Sequence, residues 1–199
     1  NDIVAENVFV PDHRSIDGFA LRKGATDGTA LYDNPLYAIP LVPMSYTTIV
    51  PVLTGGLKGA LSAFEAIVDR RVRNFSGDVV KDQQHAHIVM GEMQIATRAV
   101  DVLGRAHIDR TEALVQTGFT TEDRIALKGS AAYLARTGRE VMQAMMAGAG
   151  SSNYHHDQPI QRFWRDLATV ASHAFWDWDI AREQVGRRHF GLPISHPIV

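Results

Sequence analysis

After Pro51, the apolar residues of this 199-residue chain begin to recur at steps of three and four, and that pattern constrains the fold more than any other feature. The spacing predicts a helix from about Thr54 to Arg73. It is rich in small residues (Gly55, Gly56, Gly59, Ala60, Ala63) that allow a neighbouring helix close approach. A second begins near Asp82, with Val89, Met93, Ala96, Val100 and Leu103 along one face, and runs to about Gly118, where glycine serves as a stop. A third opens at Thr120-Thr121-Glu122-Asp123, a capping pattern with acids in the first turn, and ends in Gly148-Ala149-Gly150. A fourth starts by Pro159, suited to a first helical turn, and ends before Gly191-Leu192-Pro193. Helices joined by such short connections form an antiparallel up-down bundle, here of four helices.

The beginning of the chain has a different character. Val8-Phe9-Val10, stopped by Pro11, predicts a single strand. One strand cannot bury a face, so its partners are expected elsewhere, most simply upstream of Asn1. From about 17 to 51, Gly18, Gly24, Gly28, Pro35, Pro40, Pro43 and Pro51 interrupt a segment that is still apolar from Leu36 to Val42. An ordered strap lying over a core is expected there. The first residue is Asn1 and not Met, so we expect a piece of a longer protein.

Charge and composition narrow the function classes. Twenty Lys and Arg against 22 Asp and Glu leave a net charge of -2, which argues against a nucleic-acid partner. No run approaches the roughly 18 apolar residues of a membrane span. Cysteine is absent, which removes disulfides, thiolate catalysis and Cys-ligated metal sites together. Histidine, with nine copies, is the abundant group that titrates near neutral pH.

The fourth helical segment holds the most chemistry. One stripe (Ile160, Trp164, Leu167, Ala171, Phe175, Trp178) is core-like. Nearly opposite, Arg162, Asp166, Thr169, His173 and Asp177 recur at the same steps, placing an imidazole one turn from Asp177 and two turns from Asp166. Either carboxylate would orient the ring or raise its pKa, as an acid–base histidine requires. The same spacing also fits a solvated, salt-bridged face.

The preceding loop, Gly148 to His156, offers close backbone approach and the hydroxyls of Ser151 and Ser152, or else a plain turn between helices. His155-His156 lack the further converging ligands that a metal needs. Asp82 and His85 mimic half of a di-iron pair with no second copy. Walker A, Gly-x-Ser-x-Gly and dinucleotide fingerprints are absent. The cluster Arg70-Arg71-Val72-Arg73 is a solvated helix end or a phosphate clamp.

Phe9-Val10-Pro11, the small-residue helix ending in Arg70 to Arg73, the Gly-Ala-Gly loop and Pro159-Ile160-Gln161-Arg162-Phe163-Trp164-Arg165-Asp166 follow the order of the acyl-CoA dehydrogenase fold, which the chain resembles over nearly its whole length. The resemblance implies a mostly α chain, with 1–50 as the end of a middle β-domain plus a connecting strap and 51–199 as the C-terminal four-helix domain. A remnant strand precedes the bundle, and an N-terminal helical domain and most of the β-domain lie outside the chain. Common acyl-CoA dehydrogenases carry Tyr-Glu-Gly a fixed distance after the Arg-Asp pair, and that Glu removes the substrate's α-proton. Counted from Arg165-Asp166, those positions are His173, Ala174 and Phe175, and Ala174 cannot accept a proton.

Pro-x-Gln-Arg-x-x-Arg-Asp followed by His173 is instead similar to the two-component flavin-dependent monooxygenases. The resemblance implies reduced FMN or FAD supplied by a separate reductase, a C4a-hydroperoxyflavin formed with O₂, and hydroxylation of an aromatic or related small molecule. It assigns His173 the catalytic position and Tyr154, Phe175 and Trp176 the walls of a substrate pocket. It places flavin contacts at Arg73, Gln84, Gly150, Ser151 and Ser152. Val72 and Ser76 stand where the dehydrogenase pattern around Arg73 has Glu and Phe. Cross-subunit flavin contacts imply a homotetramer, in the cytoplasm, with no membrane or nucleic-acid partner. Two other classes stay open: an acyl-CoA dehydrogenase-like oxidoreductase with its base elsewhere, and a helical scaffold serving only oligomerisation.

Overall fold

The computed structural model describes residues 2–24 and 26–197. Its main body is built on three long helices, α3, α4 and α5. Two short helices, α1 (Gly18–Lys23) and α2 (Asp27–Leu31), precede them in the segment expected to be an irregular strap. Asp17 and Thr26 cap these two by accepting the backbone N–H of Phe19 and Thr29. The strand expected at Val8-Phe9-Val10 does not form. These residues are exposed, and among the described residues there is no strand, only an isolated bridge between Val72 and Val79. Their backbone groups have no partner strand to pair with.

Helix α3 (Leu41–Arg70) starts well before the expected Thr54. Pro43 sits in its first turn, where no intrahelical N–H bond is needed. Pro51 lies inside the helix on its exposed side. The lost hydrogen bond there is outweighed by one continuous buried stripe at steps of three and four: Val42, Tyr46, Val50, Leu53, Leu57, Ala60 and Phe64.

Helix α4 (Gln84–Thr117) buries Met93, Thr97, Val100, Gly104, His107, Thr111 and Leu114 on the same logic, and Gly118 at φ +88° ends it. Helix α5 (Thr121–Ala149) opens with the full capping box. Thr120 accepts from the Asp123 N–H and Asp123 accepts from the Thr120 N–H.

These three helices pack pairwise, and the fourth position is shared by α6 (Pro159–Val170), against α3 and α5, and α7 (Trp178–His189), against α5. The single fourth helix expected from 159 to 190 is therefore broken. Ser172 Oγ donates back to the Ala168 carbonyl, and His173 and Asp177 each accept a backbone N–H that opens the next turn. The short 3₁₀ turn Ala174–Trp176 lies between them, and the break buries Trp176 against Tyr46 with ring centroids 5.3 Å apart. The expected core stripe holds at Ile160 and Leu167, while Trp164, Ala171, Phe175 and Trp178 are only half-buried. No helix among the described residues is long and apolar enough to cross a membrane.

Small residues set the helix spacing, as the sequence implies. A Cβ built on Gly59 would stand 2.6 Å from the Phe163 ring of α6, and one on Gly104 would stand 2.6 Å from Thr54 Cγ2. Thr54 is buried and β-branched, and Val50 Cγ1 lies 3.4 Å from the same point, so little room is left to yield. In the full-length protein, Gly104→Val is expected to lower unfolding free energy by about 2 kcal/mol through overpacking. An unchanged urea midpoint would show that α3 and α4 are not held this close.

Candidate functional site

The link between α6 and α7 presents the groups with the most chemical potential. His173 ends the first turn beyond α6, and its Nδ1 accepts the N–H of Phe175 at 3.2 Å. A ring accepting at Nδ1 carries its proton on Nε2 when neutral. Phe175 stands edge-on to the imidazole with centroids 5.0 Å apart. The carboxylates expected to flank His173 along one helix face are engaged elsewhere. Asp166 pairs with Arg165 at 3.6 Å, and Asp177 Oδ1 accepts the Ile180 N–H at 2.9 Å as the cap of α7. Breaking the helix removed the one-turn relation that would have aligned them with His173.

His173 opens onto a cavity of about 460 Å³ whose other walls include Arg136 and Arg139 from α5, Trp176, Asp177, Trp178 and Asp179. The Arg136 guanidinium lies over the Trp178 ring, 5.4 Å from its centroid, and pairs with Glu140. An imidazole, two guanidinium groups and two indoles on one open cavity suit a planar guest with an oxygen that gains negative charge. Neither arginine was singled out by the sequence. Their spacing on α5 looks like that of any solvated helix face, and only the fold-back of α7 gives them a common cavity.

Of the expected pocket walls, Trp176 joins this cavity and Phe175 stands behind it, half-buried against Tyr46. Tyr154 does not join them. It lies on the 3₁₀ turn Ser151–Tyr154, exposed, with its ring 5.6 Å from Trp164.

Behind the link lies a buried polar layer that periodicity could not reveal, because each member occupies a core position of an ordinary apolar stripe. Lys128 of α5 is wholly buried, with Nζ 3.4 Å from Tyr46 Oη and 3.5 Å from the Phe175 carbonyl. Burial pushes the Lys128 ammonium down, with Asp177 opposing, and pushes the Tyr46 phenol up. His107 Nδ1 lies 2.8 Å from Ser130 Oγ, which itself donates to the Leu127 carbonyl. The imidazole therefore donates from Nδ1, and its buried Nε2 has no hydrogen-bond partner among the described residues. Desolvation brings its pKa down to about 4.

A second cluster lies at the C-terminal end of α5. Arg71 Nη1 donates to the carbonyls of Gly148 and Ala149 at 3.2 and 3.3 Å, so a cation covers the helix's unpaired acceptors. Gly150 has φ +86°, a backbone conformation that favours glycine, and a Cβ there would stand 2.9 Å from the Arg71 guanidinium and displace it. Arg71 and Arg73, with Gln83, His85, Val89 and Gly148, line a cavity of about 340 Å³. Of the expected flavin contacts, Arg73 joins this cavity. Gln84 is exposed at the start of α4, between two residues that do line it. Gly150, Ser151 and Ser152 follow just after Gly148 and are not part of its lining. The Arg70–Arg73 run did not show which arginine holds the loop. The tertiary contact selects Arg71.

Residues 47–178 match the family described as acyl-CoA dehydrogenase, C-terminal domain. A pigment production hydroxylase from a Rhodococcus species is 35% identical over 200 residues, covering 100% of this chain and 51% of that protein. The oxygenase subunit HsaA of a flavin-dependent monooxygenase from Mycobacterium tuberculosis is 30% identical over 205 residues, covering 100% and 51%. The crystal structure of 3-HSA hydroxylase from Rhodococcus sp. RHA1 superposes with TM-score 0.86 at 27% identity, over 98% of this chain and 51% of that one. The chain thus spans about half the length of the curated relatives it matches.

The buried imidazole of His107 gives the molecule a measurable acid weakness. Its folded pKa near 4 lies below the ordinary value of 6.5, so below that value the unfolded chain takes up a proton that the folded chain refuses. Its stabilising effect is complete above the unfolded value and is lost as pH falls toward 4, amounting to about 3 kcal/mol. His107→Gln, which does not titrate, is expected to flatten the fall in unfolding free energy over that range. An unaltered slope in denaturant titrations would contradict a neutral buried His107.

Proposed function

The chain belongs to the acyl-CoA dehydrogenase C-terminal domain family, and from that premise we propose that it is the C-terminal part of the oxygenase component of a two-component flavin-dependent monooxygenase. The whole protein hydroxylates an aromatic or related small molecule, using O₂ and reduced FMN or FAD delivered by a separate reductase, and works as a homotetramer. The segment before Leu41 ends its β-domain and forms the connecting strap, and its helical-bundle domain, expected from 51, begins with α3 at Leu41. One observation carries the reading. His173 lines one cavity with Arg136, Arg139, Trp176 and Trp178, and Ala174 on the same wall stands where common dehydrogenases have their proton-abstracting Glu.

The residues fit a flavin's anionic tail. Two guanidinium groups, Arg71 and Arg73, share one cavity with Gln83 and His85, a donor set suited to phosphate oxygens. Gln84, Gly150, Ser151 and Ser152 border it and complete the proposed binding surface. When bound, reduced flavin supplies the electrons that activate O₂ for transfer of one oxygen atom.

The chain's own residues do the rest. With Nδ1 tied to the Phe175 N–H, His173 offers its Nε2–H to the cavity as a donor, able to hold a phenolate oxygen or to deliver a proton. Arg139 and Arg136 offer guanidinium donors to a phenol's oxygen on the α5 wall, opposite the carboxylates of Asp177 and Asp179. Trp176 and Trp178 give a planar ring an apolar wall and restrict water. Phe175 holds the rear of the link, while Tyr154, beside Trp164 near the other end of α6, stands apart from this pocket.

Full-length protein supplied with reduced flavin, O₂ and a panel of simple phenols is expected to release hydroxylated product. His173→Ala should lower product per flavin oxidised by about a hundredfold and raise hydrogen peroxide correspondingly, while the protein stays folded and loses no more than the ~1 kcal/mol of a lost cap. Product formation at the wild-type level by that variant would defeat the assignment. Reduction of bound oxidised flavin by acyl-CoA would point to a dehydrogenase instead.

A further inference from the structure

Lys128 is the one lysine in the buried core among the described residues. A lysine is rarely buried fully unless it is paired. No carboxylate hydrogen-bonds to this one among the described residues. Asp177, the acid whose charge it feels, is committed to capping α7. A methionine would fill the same space without the cost of stripping water from an amine. The two oxygens that Nζ reaches come from different elements: the phenol of Tyr46 on α3, at 3.4 Å, and the backbone carbonyl of Phe175 in the α6–α7 link, at 3.5 Å.

Phe175 is the junction. Its carbonyl receives Lys128 from inside the bundle, and its N–H donates to His173 Nδ1 on the cavity side. The carbonyl shares its peptide plane with the Trp176 N–H, which donates to the His173 carbonyl at 2.9 Å, and the Phe175 N–H lies in the adjoining plane across one Cα, so a displaced carbonyl disturbs the short turn that makes both ties to His173. Tyr46 fixes the other end. It is wholly buried, it packs on Trp176 at 5.3 Å and on Phe175 at 6.5 Å, and its ring lies 6.0 Å from Nζ. Lys128 itself does not line the cavity.

We propose that Lys128 is a positioning residue for His173, holding the turn through Phe175 and Trp176 so that the Phe175 N–H keeps the imidazole in one orientation with Nε2–H toward the cavity. The inference rests on the role given to His173 above. Burial pushes the Lys128 ammonium down and keeps the Tyr46 phenol protonated, and an amine and an ammonium both donate to the Phe175 carbonyl. The anchoring contact is therefore independent of the charge state of Lys128.

The test is a double-mutant cycle in the full-length protein with reduced flavin, O₂ and the phenol panel, comparing wild type, Lys128→Met, His173→Ala and the double variant. Product per flavin oxidised is the readout, with thermal unfolding to show that each variant is folded. Lys128→Met alone is expected to lower the ratio by about tenfold or more through misplacement of the ring, and to cost nothing further in the His173→Ala background. A loss of equal size in both backgrounds, or no loss in either, overturns the positioning role while leaving that of His173 intact. If His173→Ala itself changes nothing, both proposals fall. Should Lys128→Met not accumulate as folded protein, Lys128→Gln carries the cycle under the same criteria. Its amide keeps a donor at shorter reach, so a smaller loss is expected, again confined to the background with His173.

Discussion

Where the helical run from Pro159 stops decides the arrangement of everything around His173. Continued as one helix, the run would carry Trp176 about two and a half turns beyond Leu167, to the face away from the core stripe. Stopping after Val170 costs several intrahelical hydrogen bonds, and side chains recover part of that cost. Ser172 bonds back to Ala168, His173 accepts the N–H of Phe175, and Asp177 accepts that of Ile180. Burying an indole against Tyr46 supplies the larger return, on the order of the 1.5–3 kcal/mol of a large side chain. The same break turns α7 back across α5 and creates the cavity that His173 shares with Arg136 and Arg139.

The core behind this link is not uniformly apolar. Leu57, Leu134, Met142, Met145 and Met146 fill one part, while Tyr46, Lys128 and His107 form a polar layer nearer the link. Each polar group meets a small number of oxygens, which makes the layer specific in geometry and costly to disturb. The desolvated His107, with its pKa near 4, and the desolvated Lys128 are two consequences of one environment. Only Lys128 is connected through hydrogen bonds to the exposed site, by way of Phe175.

At the other cluster, backbone geometry and charge act together. The carbonyls ending α5 attract Arg71, and Gly150 leaves room for it. Arg73 and His85 then join Arg71 around one cavity. A phosphate-sized anion there would meet positive charge already held in place by the fold, which lowers the cost of ordering the site on binding.

The sequence by itself determined the long helices from α3 to α5, because capping residues, stops and apolar spacing are local and all agree. Thr120 with Asp123, Gly118 and the stripe Met93, Val100 are legible without tertiary information. It also determined that Ala174 cannot act as a base. Periodicity failed in two places where a local preference competed with burial elsewhere. Pro51 reads as a boundary, yet α3 passes through it because the stripe from Val42 to Phe64 buries more than the missing bond costs. The run through His173 reads as one helix, yet the packing of Trp176 on a residue far away in sequence breaks it. Tertiary structure alone decided that Lys128 and His107 are buried, that Arg71 holds the loop, and that Arg136 and Arg139 meet His173. Those are relations between helices, and spacing along one helix carries no information about what another places opposite it.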